Sequence, residues 1–135
     1  MDGRVRLLMK IQKIYLETTV FNFYFADDAP DKQADTLLLF KEIESGKYEP
    51  YTSDRVIEEL TEASEPKQSD MLELIRRYNV TVLPVNLEAN RLTALYIDEG
   101  IIPEKYSTDA LHIAITTVSN LDFIVSYNFR HVVKM

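Results

Sequence analysis

Four short runs of apolar, β-branched and aromatic residues, at 11–16, 48–52, 80–85 and 121–128, alternate with segments whose apolar residues recur at helical spacing. A chain that alternates in this way buries its strands between layers of helices. The pattern predicts a three-layer α/β/α sandwich with a mostly parallel central sheet. The first run, residues 11–19, passes from Ile14-Tyr15-Leu16 directly into Glu17, Thr18 and Thr19, and an aromatic segment at 20–25 follows at helical spacing. A strand that ends in a carboxylate just before a helix places that carboxylate where open α/β sheets keep their ligands.

The other elements follow in order. Residues 27–31 read as a turn, and Asp31 is expected to cap a helix through Glu44 with Ala34, Leu37, Leu38 and the stem of Lys41 on its inner side. Residues 48–52 form a brief strand, which Pro50 demotes to a sheet edge or a short piece. Ser53-Asp54 opens a helix with Val56, Ile57 and Leu60 on one stripe, and Pro66 starts another with Met71, Leu72, Leu74, Ile75 and Tyr78 inward. After the β-branched run at 80–85, Asn86 or Asn90 leads into a helix that Gly100 ends. Ser107 or Thr108 caps an apolar helix from Asp109 to Val118, and a buried strand at 121–128 comes last.

At 135 residues the chain is expected to be one domain over residues 9–135, preceded by a flexible extension at 1–8. It has no cysteine, which excludes a thiol nucleophile and a cysteine-ligated zinc or iron–sulfur site. Two histidines, His112 and His131, are too few for a zinc centre built mainly on imidazole. A metal here would be a hard cation on oxygen ligands, Mg²⁺ or Mn²⁺. The formal net charge of −7 argues against a surface coated for non-specific nucleic-acid binding, though not against a local phosphodiester site. No apolar stretch is long enough to span a membrane and no signal peptide is recognisable, so a cytoplasmic location is expected.

In a parallel sheet, the loops after the strands share one edge with the starts of the following helices. Glu17 ends the first strand, Glu59 lies in the helix after the second, Asp109 sits in the first turn of its helix one turn before His112, and Asn128 ends the last strand. Asp122 starts that last strand, roughly 20 Å from Asn128 at ~3.3 Å per residue, and so belongs to the opposite edge.

Residues 15–21 (YLETTVF), 52–60 (TSDRVIEEL), 107–114 (STDALHIA) and 123–128 (FIVSYN), in this order and spacing, resemble the PIN-domain family of nucleases, which includes the VapC-type toxins. The resemblance covers residues 13 to about 131 and implies a PIN-like fold. It also implies a Mg²⁺- or Mn²⁺-dependent endoribonuclease, the toxin half of a toxin–antitoxin pair. Mapped by motif, the family's acidic set falls on Glu17, Glu59, Asp109 and Asn128, with Glu17, Glu59 and Asp109 as metal ligands. Thr19, Ser53 and His112 stand behind them as groups that orient the carboxylates. Glu17 replaces the family's usual Asp, and Asn128 stands where many members carry Asp. The partners implied are RNA, an antitoxin protein and a second copy of the chain, with no membrane.

Two other readings stand beside this one. Glu17, Asn128 and the acidic balance suit a catalytically degenerate PIN-like module that docks nucleic acid or protein. The aromatic segment after Thr19 suits a structural dimer contact, and Phe21, Phe23, Tyr24 and Phe25 read as core and interface. Arg76-Arg77 and Arg130-His131 are compact basic pairs for which a solvated surface is the ordinary reading.

Overall fold

The computed structural model describes residues 10–128. The extension expected at 1–8, the pair Arg130-His131 and the segment after Phe129 lie outside the described residues. Four strands, β1 (Gln12–Leu16), β2 (Tyr48–Ser53), β3 (Thr81–Leu83) and β4 (Phe123–Val125), form one sheet in the order β3-β2-β1-β4. All the pairings are parallel, with Tyr15 opposite Tyr51 on one side and Ile124 on the other. Six helices accompany them: α1 (Thr18–Phe23), α2 (Pro30–Glu44), α3 (Asp54–Leu60), α4 (Lys67–Arg77), α5 (Leu87–Asp98) and α6 (Ser107–Val118). Helices α1 to α4 pack among themselves, and α5 packs along α6, which leads into β4.

The chain winds outward from β1 through β2 to β3, then returns to add β4 on the other side of β1. The order of strands therefore reverses between β1 and β4, and the crevice beyond their carboxyl ends is the place where doubly wound sheets bind ligands. Strand β1, paired on both sides, has Ile14, Tyr15 and Leu16 buried. Its carboxyl end is tied to both neighbours: Thr52 Oγ1 donates to the Leu16 carbonyl at 2.8 Å, and the Glu17 N–H donates to the Val125 carbonyl at 3.1 Å.

Several local expectations are corrected. Strand β2 is interior, not an edge. Pro50 faces Ile14 of β1, and pairing with β3 begins only at Tyr51, one residue after the proline. Strand β4 is short and only half-buried, with Phe123 55% exposed. Asp31 is not the cap of α2: Pro30 occupies the first turn behind Ala29, and Asp31 lies within that turn. Neither Ser107 nor Thr108 caps α6, because a 3₁₀ turn at Glu104–Tyr106 runs directly into it. Asn86, not Asn90, caps α5, its side chain accepting the Ala89 N–H at 2.9 Å.

The inner face of α2 is also different. Thr36, Phe40 and Ile43 are buried, whereas Ala34, Leu37, Leu38 and Lys41 face solvent. The run Leu37-Leu38-Leu39 points in three directions and carries no helical phase, so the burial of Phe40 against Phe21, Tyr24 and Tyr78 sets it. Ile43→Val is accordingly expected to cost about 0.5–1.5 kcal/mol, as trimming a packed core residue does. Leu38→Ala should stay within about 0.5 kcal/mol. Equilibrium urea unfolding of the two variants checks the orientation, and the reverse ranking would overturn it.

The aromatic residues of α1 are engaged inside the molecule. Phe21 is fully buried, Tyr24 and Phe25 pack on the core, and Phe23 meets the ring of Tyr127 at 4.6 Å. At the amino end of the sheet, Asp122 accepts the Lys13 N–H at 2.8 Å and meets Lys10 Nζ at 3.2 Å, on the edge opposite Glu17 as its position in the sequence implied.

Candidate functional site

The site is assembled at the carboxyl edge of β1 from four segments. Glu17 leaves β1 and becomes the N-cap of α1. Its side chain folds back, so that Oε1 accepts the Thr19 N–H at 3.1 Å and the Thr19 hydroxyl at 2.5 Å. Ser126, just past β4, donates its hydroxyl to the same oxygen at 2.7 Å. Three donors on one oxygen fix the carboxylate, which is 2% exposed, and leave Oε2 as the oxygen available to a cation. The extra methylene of glutamate is taken up by this fold-back.

The loop after β4 is held in place to do this. The Tyr127 N–H donates to Thr19 Oγ1 at 3.0 Å, its hydroxyl shares a hydrogen bond with Thr36 at 2.6 Å, and its ring covers Phe23. Asn128 is exposed, and it joins this arrangement through its backbone N–H, which donates to Ser126 Oγ at 3.0 Å.

Helix α3 supplies Glu59. Ser53 ends β2 and caps this helix, its Oγ accepting the Val56 N–H at 3.3 Å. At the next-to-last residue of the helix, Glu59 Oε1 meets His112 Nε2 at 2.8 Å and Arg55 Nε at 3.9 Å. Burial by itself would raise the Glu59 pKa. The hydrogen bond and positive field from His112, with Thr18 and Arg55 nearby, outweigh it and hold the carboxyl below its ordinary range. The Thr18 hydroxyl is buried beside Glu59.

Helix α6 supplies Asp109 and His112. His112 is completely buried, and its second nitrogen, Nδ1, lies 2.6 Å from the Tyr15 hydroxyl. Asp109 is half-buried, and its pKa is raised by burial first and then by the charges of Glu17 and Glu59, against an opposing pull from His112. Burial and neighbouring carboxylates both discourage a carboxyl from ionising.

Ligand atoms of Glu17, Glu59 and His112 lie within 4.8 Å of one another. Asp109 stands outside that tight group yet within the electrostatic reach of both glutamates. The carboxylate oxygens of Glu17, Glu59 and Asp109 are hard donors of the kind that suit a divalent cation. Glu17, Glu59, Asp109, Thr19, Ser53 and His112 thus meet at one edge of the sheet, and Asn128 reaches it only through Ser126. Tyr15, Ser126 and Thr18 were not among the candidates. Tyr15 reads as a core strand residue, and a serine or threonine near a strand end carries no signal of its own.

Among the described residues, the four-stranded parallel sheet and its six helices form a PIN-like fold. Two solved structures share it. VapC20 of Mycobacterium tuberculosis, a sarcin–ricin-loop-cleaving toxin, is similar with a TM-score of 0.61 at 16% identity over 87% of this chain and 91% of that one. VapBC2 of Rickettsia felis, bound to a DNA fragment from its promoter, is similar with a TM-score of 0.59 at 14% identity over 90% of this chain and 93% of that one. No family model and no curated protein sequence matches the chain.

Proposed function

We propose that the protein is a metal-dependent endoribonuclease that hydrolyses RNA phosphodiester bonds, the toxin of a toxin–antitoxin pair acting in the cytoplasm. The observation that carries this reading is the meeting of Glu17 and Glu59 at the switch point of a VapC-type fold, with Asp109 within reach of their charges and its pKa raised by burial first and then by them. Glu17 through Oε2, Glu59 and Asp109 would hold Mg²⁺ or Mn²⁺. Such an ion supplies a water of lowered pKa and polarises the phosphoryl oxygen.

The chain's own groups do the positioning. Thr19 and Ser126 fix Glu17 from one side, His112 fixes Glu59 from the other, and the loop carrying Asn128 borders the site. Similarity to a toxin that cleaves the sarcin–ricin loop makes structured RNA the first substrate to try, and similarity to VapBC2 supports an antitoxin partner. In an assay with Mn²⁺ or Mg²⁺, Glu59→Gln is expected to lower RNA cleavage by at least about tenfold, since losing even an outer-shell partner costs that much. Cleavage that survives both Glu59→Gln and chelation of the metal would overturn the metal-dependent assignment, whereas no cleavage and no Mn²⁺ binding by the wild type would favour a binding module without catalysis.

A further inference from the structure

A chain of buried hydrogen bonds runs behind the carboxylates. Ser53 Oγ lies 2.7 Å from the Tyr15 hydroxyl, that hydroxyl lies 2.6 Å from His112 Nδ1, and His112 Nε2 lies 2.8 Å from Glu59 Oε1. Tyr15, Ser53 and His112 are each fully buried, and Glu59 is the first member of the chain that meets solvent. Each of the three residues comes from a different element, β1, β2 and α6, so the arrangement depends on the tertiary fold as a whole.

The directions of these bonds follow from which groups can donate. The Glu59 carboxylate accepts, so Nε2 carries the proton that faces it. Burial pushes the Tyr15 hydroxyl well above its ordinary pKa, so it remains an O–H and can donate to Nδ1. The hydroxyl of Ser53 then donates to the Tyr15 oxygen, while Ser53 Oγ accepts the Val56 N–H. For a neutral imidazole, every polar atom of this chain is satisfied with the proton on Nε2. Both ring nitrogens are then occupied within the protein, and neither offers a lone pair to a cation.

We propose that Tyr15 and His112 are positioning residues that lock Glu59 as a metal ligand: Tyr15 fixes the Nε2–H tautomer of His112, and His112 holds one carboxylate oxygen so that the other faces the cation. This inference rests on the proposed metal site, and it adds Tyr15 as a determinant of metal affinity and takes His112 out of the ligand set. An outer-shell partner of this kind changes affinity without touching the ion, by about 10–100-fold when removed.

The test uses the full chain and Mn²⁺ alone. Calorimetric titration should show Mn²⁺ binding about tenfold weaker in Tyr15→Phe and in His112→Asn. His112→Gln, whose amide can reach the Nε2 position and donate to Glu59, should stay close to wild type. Thermal melts without metal identify any variant that fails to fold, and the paired His112 substitutions keep the test decisive if Tyr15→Phe does. Imidazole ¹⁵N spectra of the metal-free protein, simple because the chain has two histidines, should show His112 as the Nε2–H tautomer, with that preference lost in Tyr15→Phe. Wild-type affinity in Tyr15→Phe and His112→Asn would overturn the proposal while leaving the metal site standing. A nitrogen coupling to bound Mn²⁺ in electron spin echo spectra would overturn it by making His112 a ligand. Absence of any Mn²⁺ binding to the wild type would instead remove the metal site itself, and the proposal with it.

Discussion

Glu17→Asp is expected to weaken Mn²⁺ binding by about 100-fold and to lower RNA cleavage in proportion, although aspartate is the residue the resemblance to PIN-domain nucleases would lead one to restore. The longer side chain is built into this site. Oε1 receives the Thr19 N–H, the Thr19 hydroxyl and the Ser126 hydroxyl, and this fold-back both caps α1 and leaves Oε2 free of these three donors. A carboxylate one methylene shorter cannot keep all three donors and still present an oxygen at the same point. Either Ser126 is left with an unanswered donor near a buried carboxylate, or the ligand oxygen withdraws from Glu59.

Hydrogen bonds to a charged acceptor are worth about 1.5–3 kcal/mol each, so losing one also destabilises the strand-to-helix junction. Glu17→Gln separates the two effects. It keeps the length and can keep an acceptor for Thr19, but lacks the charge, so it should fold nearly as well as wild type while binding Mn²⁺ poorly. Calorimetric titration with Mn²⁺ and melting curves of the two variants give both quantities. Glu17→Asp binding Mn²⁺ as tightly as wild type would show that the fold-back is incidental.

Local chemistry marks Glu17, where a strand runs into a helix, whereas Glu59 and Asp109 read locally as ordinary helix acids and stand out through the resemblance to PIN-domain nucleases. What joins them is not local. Tyr15 in an apolar strand has the pattern of a core residue, and it is one; its hydroxyl matters only because β2 brings Ser53 and α6 brings His112 to it. Ser126 becomes a partner of Glu17 only because β4 pairs with β1 and Tyr127 pins the following turn. The same limit explains the misplaced edge. Pro50 is locally a poor strand residue, but whether a strand is central depends on which strands join it, and β3 joins β2 only past the proline. The face of α2 was illegible for a simpler reason, since three consecutive leucines have no periodicity.

Metal-free Asp109→Asn is expected to melt at a higher temperature than metal-free wild type at neutral pH, even though it removes a proposed ligand. In the folded chain the Asp109 pKa is raised, by burial first and then by Glu17 and Glu59. A group whose pKa is higher folded than unfolded gives stability that is fully present below the unfolded value and is lost as pH rises through the folded value. Above that window the ionised Asp109 opposes folding, and an uncharged amide of the same shape does not. The advantage of the variant should therefore shrink on acidification, as Asp109 takes up its proton in the wild type. A cation reverses the order. At a free Mn²⁺ concentration of 100 times its dissociation constant, the wild type gains about 2.7 kcal/mol, whereas a variant short of one ligand gains far less at the same concentration. Melting curves of the two proteins, with chelator and with Mn²⁺ at pH 7, should cross: the variant more stable without metal, the wild type more stable with it. Parallel shifts of both proteins on adding Mn²⁺ would remove Asp109 from the ligand set, and a less stable metal-free variant would show that the crowding of the three acids is too weak to matter. A crossing ties the strain at Asp109 to the cation that relieves it.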